Sequence, residues 1–260
     1  YVNAAVEEKS TEDRILLLNE RHAKMLRAQW PDKIFLSAQP ILARQMMIKH
    51  PLEIELMKKA ITITGKAFHQ VLTSLMPGMM EYEIEGEISR IIISHGGQHA
   101  FEPIVASGLS ACTLHYVRND ARIQKGTLLL LDFGAEYAGM SSDMSRTIPA
   151  SGKFSKRQLE IYIEVLRILN EVTNMMRPGT TIAQLNKETG KLIDQALIRL
   201  KLASRHDIRN QAQSKPFRHR YFMHGVSHHL GWEVHDKHER EAVLKPGMVL
   251  TCEPGLYIRE

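Results

Sequence analysis

The sequence has few cysteines, few aromatic residues and no long hydrophobic run. Only Cys112 and Cys252 occur among 260 residues, so a disulfide framework and a zinc site of paired cysteines lack their residues. Aromatic residues make up 6% of the chain and the net charge is only +5, so we expect no nucleic-acid partner. The densest apolar run, residues 128–131, is far shorter than the roughly 18 residues of a membrane span. We therefore expect a soluble protein of a reducing compartment, the cytoplasm.

The composition is that of an ordinary globular chain, with 43% hydrophobic and 24% charged residues. Residues 1–50 have mixed charge and no complete pattern, and we interpret them as the C-terminal tail of a preceding domain with its linker. From Pro51, apolar residues recur at three- and four-residue spacing, which predicts a helix of about six turns. A second amphipathic stretch follows and ends at Gly96. We place one domain over residues 51–260.

Strands and further helices are predicted beyond this helix pair. Strand-like runs cover residues 101–106, 113–117, 127–133, 139–148 and 248–252. Two capping boxes, Ser155 with Gln158 and Thr181 with Gln184, predict helix starts. The residues expected to be buried on these two helices are Leu159, Ile163, Leu166 and Leu169 on the first, and Leu185, Leu192, Ala196 and Leu200 on the second. Residues 201–220 are polar and basic and are interpreted as a surface connection. The order predicts an α+β domain with helices covering a curved, largely antiparallel sheet.

Histidines are concentrated in one segment. Six of the 13 histidines lie between residues 219 and 238, namely His219, His224, His228, His229, His235 and His238. For any single histidine a solvated basic loop is the simpler explanation. For the group, interleaved glycines and apolar residues favour a packed active-site segment.

Three carboxylates follow or interrupt apolar strand-like runs. Asp132 and Glu253 each end such a run, and Asp143 lies inside the run after Asp132. A strand-end cap or a solvent-facing side chain would explain each one alone. If the strands pair as a hairpin, Asp132 and Asp143 can reach one point. Carboxylates with an imidazole suit manganese, or cobalt, iron or zinc, and two bridging aspartates favour a two-metal centre that holds a hydroxide.

Five segments of the chain resemble the Xaa-Pro aminopeptidase (aminopeptidase P) and prolidase group. They are PIVASG (103–108), CTLHYVRND (112–120), LLLLDFGAEYAGMSSDMSRT (128–147), YFMHGVSHHLGWEVHD (221–236) and LKPGMVLTCEPGLYI (244–258). The resemblance covers about residues 45–260, in order. It implies the pita-bread fold of methionine aminopeptidase, prolidase and creatinase, with two divalent metal ions, usually manganese.

The resemblance also implies roles for seven residues. The metal ligands would be Asp132, Asp143, His228 and Glu253, and Glu253 would also handle the proton of the attacking water. The pocket residues that contact the substrate would be His115, His224 and His235. The substrate would be a peptide with proline in its second position.

We therefore expect a metal-dependent exopeptidase that removes the residue preceding proline. The alternatives are a dipeptidase of the prolidase type and a non-catalytic pita-bread module that binds peptides or associates with nucleic acid. A methionine aminopeptidase and a metal-free, creatinase-like amidinohydrolase are less favoured, the latter because the metal ligands are retained. A homo-oligomer is compatible with the pattern.

The chain also departs from the family pattern. A second glutamate is expected beyond the Glu-Pro-Gly-Leu-Tyr motif, and Glu260 lies too early to be equated with it. We therefore expect a segment clipped at both ends, with weakened or lost occupancy of the second metal. Trp232 and the charged residues 237–240 replace residues that are usually smaller or less polar, which we expect to affect substrate preference.

Overall fold

A computed structural model describes residues 13–212, 215–239 and 241–259. Residues 1–12, Arg240 and Glu260, on which parts of the expectations above depend, lie outside this description. The helices are α1 (Asp13–Gln29), α2 (Gln39–Met47), α3 (Pro51–Ser74), α4 (Glu81–Ser94), α5 (Lys156–Met175), α6 (Ile182–Arg199) and α7 (Arg205–Arg209). The strands are β1 (Gln98–His99), β2 (Ile104–Ser107), β3 (Leu128–Phe133), β4 (Ala135–Tyr137), β5 (Met140–Ser141) and β6 (Met144–Pro149).

The strands form two small antiparallel sheets, in the orders β2-β3-β6 and β1-β4-β5. In the first sheet Asp132 pairs with Ser145, so the expected antiparallel pairing after Asp132 is confirmed. The predicted run 139–148 is divided into β5 and β6, and Asp143 lies in the short gap between them.

Helices α3 and α4 pack against both sheets and form the first core with them. Pro51 begins α3 after His50, which accepts a hydrogen bond from the Leu52 amide, and Glu53 completes the capping box. The buried residues of this core are Ile63, Ala67, Val71, Ile84, Ile88, Ile92, Val105, Ile123, Leu129, Leu131, Phe133, Ala135 and Ala150. The predicted helix pair is confirmed.

Helices α5 and α6 form a second core with residues 221–258, and both predicted capping boxes are present. The predicted buried face of α6 is largely confirmed, with Leu185, Ala196 and Leu200 buried. The prediction for α5 is wrong, because its buried residues are Ile168 and Val172. Leu159, Ile163 and Leu166 are 43%, 54% and 41% exposed, since the second core covers only the C-terminal half of this helix.

One further predicted strand is absent from the structure, and two segments contain helices that the sequence did not indicate. Residues 13–50 contain α1 and α2, although no complete pattern indicated them. Residues 113–117 are not a strand, because they follow a 3₁₀ helix at Gly108–Cys112 and His115 has a φ of 54°, which a strand does not accommodate. The surface connection 201–220 contains α7 and a second 3₁₀ helix at Phe217–Arg220.

Residues 248–252 contain no regular strand and instead make single backbone hydrogen bonds with the histidine segment. Within the ranges described, no helix combines the length and apolar character needed to cross a membrane.

Candidate metal centre

A close approach of two chain segments places Asp143 beside the strand that carries Asp132. A Cβ atom at Gly134 would lie 1.7 Å from the Ser142 carbonyl oxygen, so only glycine fits there. The Ser142 amide donates to the Ala135 carbonyl at 2.9 Å, and the buried Ser142 hydroxyl lies 2.7 Å from that of Thr64. These contacts hold the backbone that leads into Asp143.

A second pair of segments places His228 beside Glu253. The Thr251 amide donates to the His228 carbonyl at 3.0 Å, and the Glu253 amide donates to the Val226 carbonyl at 2.8 Å. The His228 amide donates to Thr251 Oγ1 at 3.1 Å. Because these bonds have the register of an antiparallel pair, His228 and Glu253 project from neighbouring positions.

Asp143, His228 and Glu253 meet at one point, with one potential ligand atom of each residue within 4.8 Å of the others. His228 Nε2 lies 3.2 Å from Asp143 Oδ2 and 2.8 Å from Glu253 Oε1. Glu253 Oε1 is nevertheless buried without a properly aligned hydrogen-bond partner among the described residues. Two partly buried carboxylates share the His228 imidazole here, and a cation at this point would give Glu253 Oε1 the aligned partner that it lacks.

The imidazole ring of His228 is also oriented for metal binding. His228 Nδ1 lies 3.0 Å from the His229 carbonyl and donates a hydrogen to it. Nε2 is therefore the atom that faces the carboxylates, and once deprotonated it offers a lone pair to a cation. Metal-binding histidines are commonly oriented in this way. The two oxygens and one nitrogen fit a hard or borderline divalent ion.

The charges at this point perturb one another strongly. Burial lowers the pKa of His228, but Asp143 and Glu253 raise it more, to about 10. Burial raises the pKa of the Glu253 carboxyl, and His228 lowers it below the ordinary value. In the metal-free protein the His228 proton therefore balances the carboxylates, and a metal ion would take over that role.

Asp132 lies next to this group rather than within it. Burial, and then the charge of Asp143, raise the pKa of Asp132 to about 7, and Glu253 adds to this effect. A buried acid surrounded by other carboxylates is stable in its charged form only with a neighbouring cation. Asp132 therefore lies near enough to be affected by the charges of Asp143 and Glu253, but it does not join the three residues whose ligand atoms meet at one point.

Of the three predicted pocket histidines, the structure places His235 in direct contact with His228, whereas His224 contacts Tyr257. His224 Nδ1 donates to the Gly225 carbonyl at 2.8 Å, and its Nε2 lies 2.8 Å from the Tyr257 hydroxyl. The His235 ring meets the His228 ring edge to face, with centroids 4.3 Å apart. Burial and the charge of His228 lower the pKa of His235, and His115 is near enough to add to this effect.

Tyr257 is a site residue that the sequence reasoning missed. Its hydroxyl donates to His224, and burial with the charges of Asp132 and Glu253 raises its pKa to about 12. The sequence feature that could have identified Tyr257 was its position in the segment 244–258, four residues after Glu253.

Trp232 lies in the histidine segment, four residues after His228, and is 51% exposed. Its ring covers Gly139, where a Cβ atom would lie 2.7 Å from it, and its Nε1 donates to Glu53 at 2.7 Å. The Ser141 amide donates to the Gly231 carbonyl at 2.7 Å. Trp232 therefore bridges the β4–β5 hairpin and the histidine segment.

Comparison with protein families matches residues 55–260 to metallopeptidase family M24. The chain is 38% identical to Xaa-Pro aminopeptidase of Escherichia coli K12 over 227 residues, which cover 85% of this chain and 51% of that protein. It is 37% identical to Xaa-Pro aminopeptidase of Haemophilus influenzae, with 85% and 52% covered. The chain thus spans about half the length of these relatives.

The chain is also similar to solved structures of aminopeptidase P. A Bacillus anthracis protein provisionally assigned as an aminopeptidase P superposes with a TM-score of 0.84 at 38% identity, covering 98% of this chain and 58% of that one. Escherichia coli aminopeptidase P with the inhibitor Pro-Leu superposes with a TM-score of 0.81 at 35% identity, covering 96% and 58%.

Proposed function

The chain belongs to metallopeptidase family M24, and from this we propose that it is the catalytic part of a metal-dependent Xaa-Pro aminopeptidase. The predicted α+β pita-bread fold is confirmed by the structural neighbours, and the chain is a metallopeptidase-type hydrolase. The proposed reaction is hydrolysis of the bond between an N-terminal residue and a following proline. The observation that carries the proposal is the convergence of Asp143, His228 and Glu253.

The proposed metal centre holds two divalent ions, with Asp132, Asp143, His228 and Glu253 as ligands. Manganese is the favoured metal because most of the ligand atoms are carboxylate oxygens. When bound, such ions act as Lewis acids and lower the pKa of a water molecule. In the proposal Glu253 also accepts a proton from the attacking water and passes it on, as a carboxylate beside that water can.

The pocket histidines have a separate proposed role. His115, His224 and His235 line the pocket and contact the peptide, and His115 and His235 donate hydrogen bonds to the oxygen that becomes negative during hydrolysis. Tyr257 holds the His224 ring through the 2.8 Å hydrogen bond to Nε2. The low pKa of His235 keeps its ring neutral beside His228.

Residues 51–260 are the proposed catalytic domain, and the preceding residues the proposed tail of another domain. Cytoplasmic location remains a proposal, which the free thiols of Cys112 and Cys252 support. A peptide longer than two residues is the proposed substrate, in line with the names of the relatives.

Metal analysis combined with peptide cleavage tests this function. The wild-type protein should retain manganese and release the first residue of an Xaa-Pro-Xaa tripeptide faster than that of an Xaa-Pro dipeptide. Asp143→Asn should lower metal affinity and turnover about 100-fold, because one ligand is lost. Asp32→Asn, an exposed aspartate in a turn, serves as the matched control and should behave as wild type. Equal turnover by Asp143→Asn, or a wild type that binds no metal, would refute the proposal.

A further inference from the structure

A fully buried ion pair lies behind the histidine segment. Lys49 Nζ is 2.7 Å from Asp236 Oδ2, and both side chains have 0% exposure. Lys49 lies between α2 and α3, ahead of the residues that match the family, whereas Asp236 follows His235 directly. Burying two charges is costly, so such a pair needs close geometry and leaves an uncompensated charge if one partner is lost.

The space around this ion pair is tightly shaped. A Cβ atom at Gly231 would lie 2.3 Å from Asp236 Oδ2 and 2.4 Å from Lys49 Cε, so glycine is required where the pair packs. The Asp236 amide also donates to the His229 carbonyl at 3.0 Å. Asp236 is therefore held through both its backbone and its side chain.

Further contacts join the segment before α3 to the end of the histidine segment. Arg44 pairs with Glu239 at 2.8 Å, and the Lys49 amide donates to the Gly247 carbonyl at 2.8 Å. The Glu239 amide lies 3.4 Å from the Met47 sulfur. Residues 44–49 thus pack on residues 236–247 at several points, and Lys49 is the buried member of this contact.

We propose that Lys49 is a positioning residue for His235. His235 is the direct neighbour of Asp236, and its ring packs on His228 at a centroid distance of 4.3 Å. Fixing Asp236 fixes the direction from which His235 enters the site. The working catalytic unit therefore includes residues 44–49, ahead of the boundary at residue 50 that the sequence suggested. The effect on turnover described next rests on the proposed function.

The test is a double-mutant cycle between Lys49 and His235 in the full chain. Lys49→Met keeps nearly the length of the side chain and removes its charge. We expect this variant to lower kcat on an Xaa-Pro-Xaa peptide about 10-fold and to change KM less than about 2-fold. Its metal content should be unchanged. In a His235→Ala background the same substitution should change kcat less than about 2-fold. Lys49→Arg should restore part of the loss. If Lys49→Met lowered kcat by the same factor in the His235→Ala background as in the wild type, the proposal would be overturned.

Two additions keep the test decisive. If Lys49→Met does not fold, Lys49→Met with Asp236→Asn removes both charges and takes its place in the same cycle. The NMR signal of the His235 ring at one fixed pH gives a readout without catalysis, with the exposed His69 on α3 as reference. If the wild type proved inactive on the peptide but Lys49→Met still moved the His235 signal, the proposed function would be refuted and the positioning role supported. An unmoved signal would overturn the positioning role.

Discussion

At the scale of single residues, Gly134 decides whether the two aspartates can share a site. Its missing side chain lets the Ser142 carbonyl approach to a distance where a Cβ atom would lie only 1.7 Å away. We expect Gly134→Ala to lower the free energy of unfolding by about 1–3 kcal/mol, as overpacking does, and to weaken manganese binding. Chemical denaturation and titration calorimetry measure the two effects.

Gly86 provides the matched control on the exposed side of α4. A Cβ atom there meets nothing within 4 Å, so Gly86→Ala should leave metal binding unchanged and raise stability by about 0.5–1 kcal/mol. If Gly134→Ala bound manganese as wild type does, the close approach would have no part in forming the site.

Residue chemistry alone indicated much of the site. Acids at strand ends drew attention to Asp132, Asp143 and Glu253, because buried charges need a partner, and the dense histidine segment stood out as a group, but only the family resemblance selected His228 from it. Tyr257 and Lys49 were not found in this way. A tyrosine among apolar residues is typical of a core, and the Lys49–Asp236 pair joins positions 187 residues apart, which no local pattern shows.

At the scale of secondary-structure elements, one ion-pair group joins α5 to α6. Arg199 donates to both carboxylate oxygens of Glu164, at 2.9 and 2.8 Å, and Arg167 donates at 3.2 Å. The Arg199 hydrogen bonds lower the pKa of Glu164 below its ordinary 4.5. The charged form of Glu164 is thus the one that stabilises the fold.

The sign of the resulting pH dependence follows from this lowered pKa. The stabilisation is complete above pH 4.5, the value in the unfolded chain, and disappears as pH falls through the lower folded value. We expect Glu164→Gln to cost about 1 kcal/mol at pH 7, with a smaller difference from wild type in acid, measured by urea denaturation. Glu188→Gln, which breaks the exposed pair with Lys191, should cost less. A difference that does not depend on pH would contradict this account.

Helix starts were predictable because capping is local. Ser155 with Gln158 and Thr181 with Gln184 satisfy backbone groups within four residues, so the pattern determines the structure. The buried face of α5 was predicted wrongly for the opposite reason. Periodicity shows which residues share a face, whereas the length of helix that a neighbour covers is decided by tertiary packing.

At the scale of the whole molecule, the site lies where two cores meet. The first core includes β3, which carries Asp132, and the second includes the segments of His228 and Glu253. A small third cluster consists of Met57, Met140 and Leu230, which come from α3, β5 and the histidine segment. A metal ion held by Asp143, His228 and Glu253 would therefore connect residues from both parts of the chain.

This arrangement predicts that metal binding stabilises the entire described fold. Manganese at 100 times its dissociation constant should add about 2.7 kcal/mol to the free energy of unfolding, provided it does not bind the unfolded chain. For a chain of this size we expect Tm to rise by roughly 5–10 °C in a calorimetric scan. Asp143→Asn should lose most of this rise. An equal rise in that variant would place the stabilising ion elsewhere.

The position of Trp232 places a fluorophore within the histidine segment. Only two tryptophans occur in the chain, and this indole spans the gap between the β4–β5 hairpin and the histidine segment. Its fluorescence depends on the Glu53 hydrogen bond and on the contact with Gly139. We therefore expect a ligand that changes the spacing of these two segments to change the emission of Trp232, and in the Trp30→Phe variant the tryptophan emission comes from Trp232 alone.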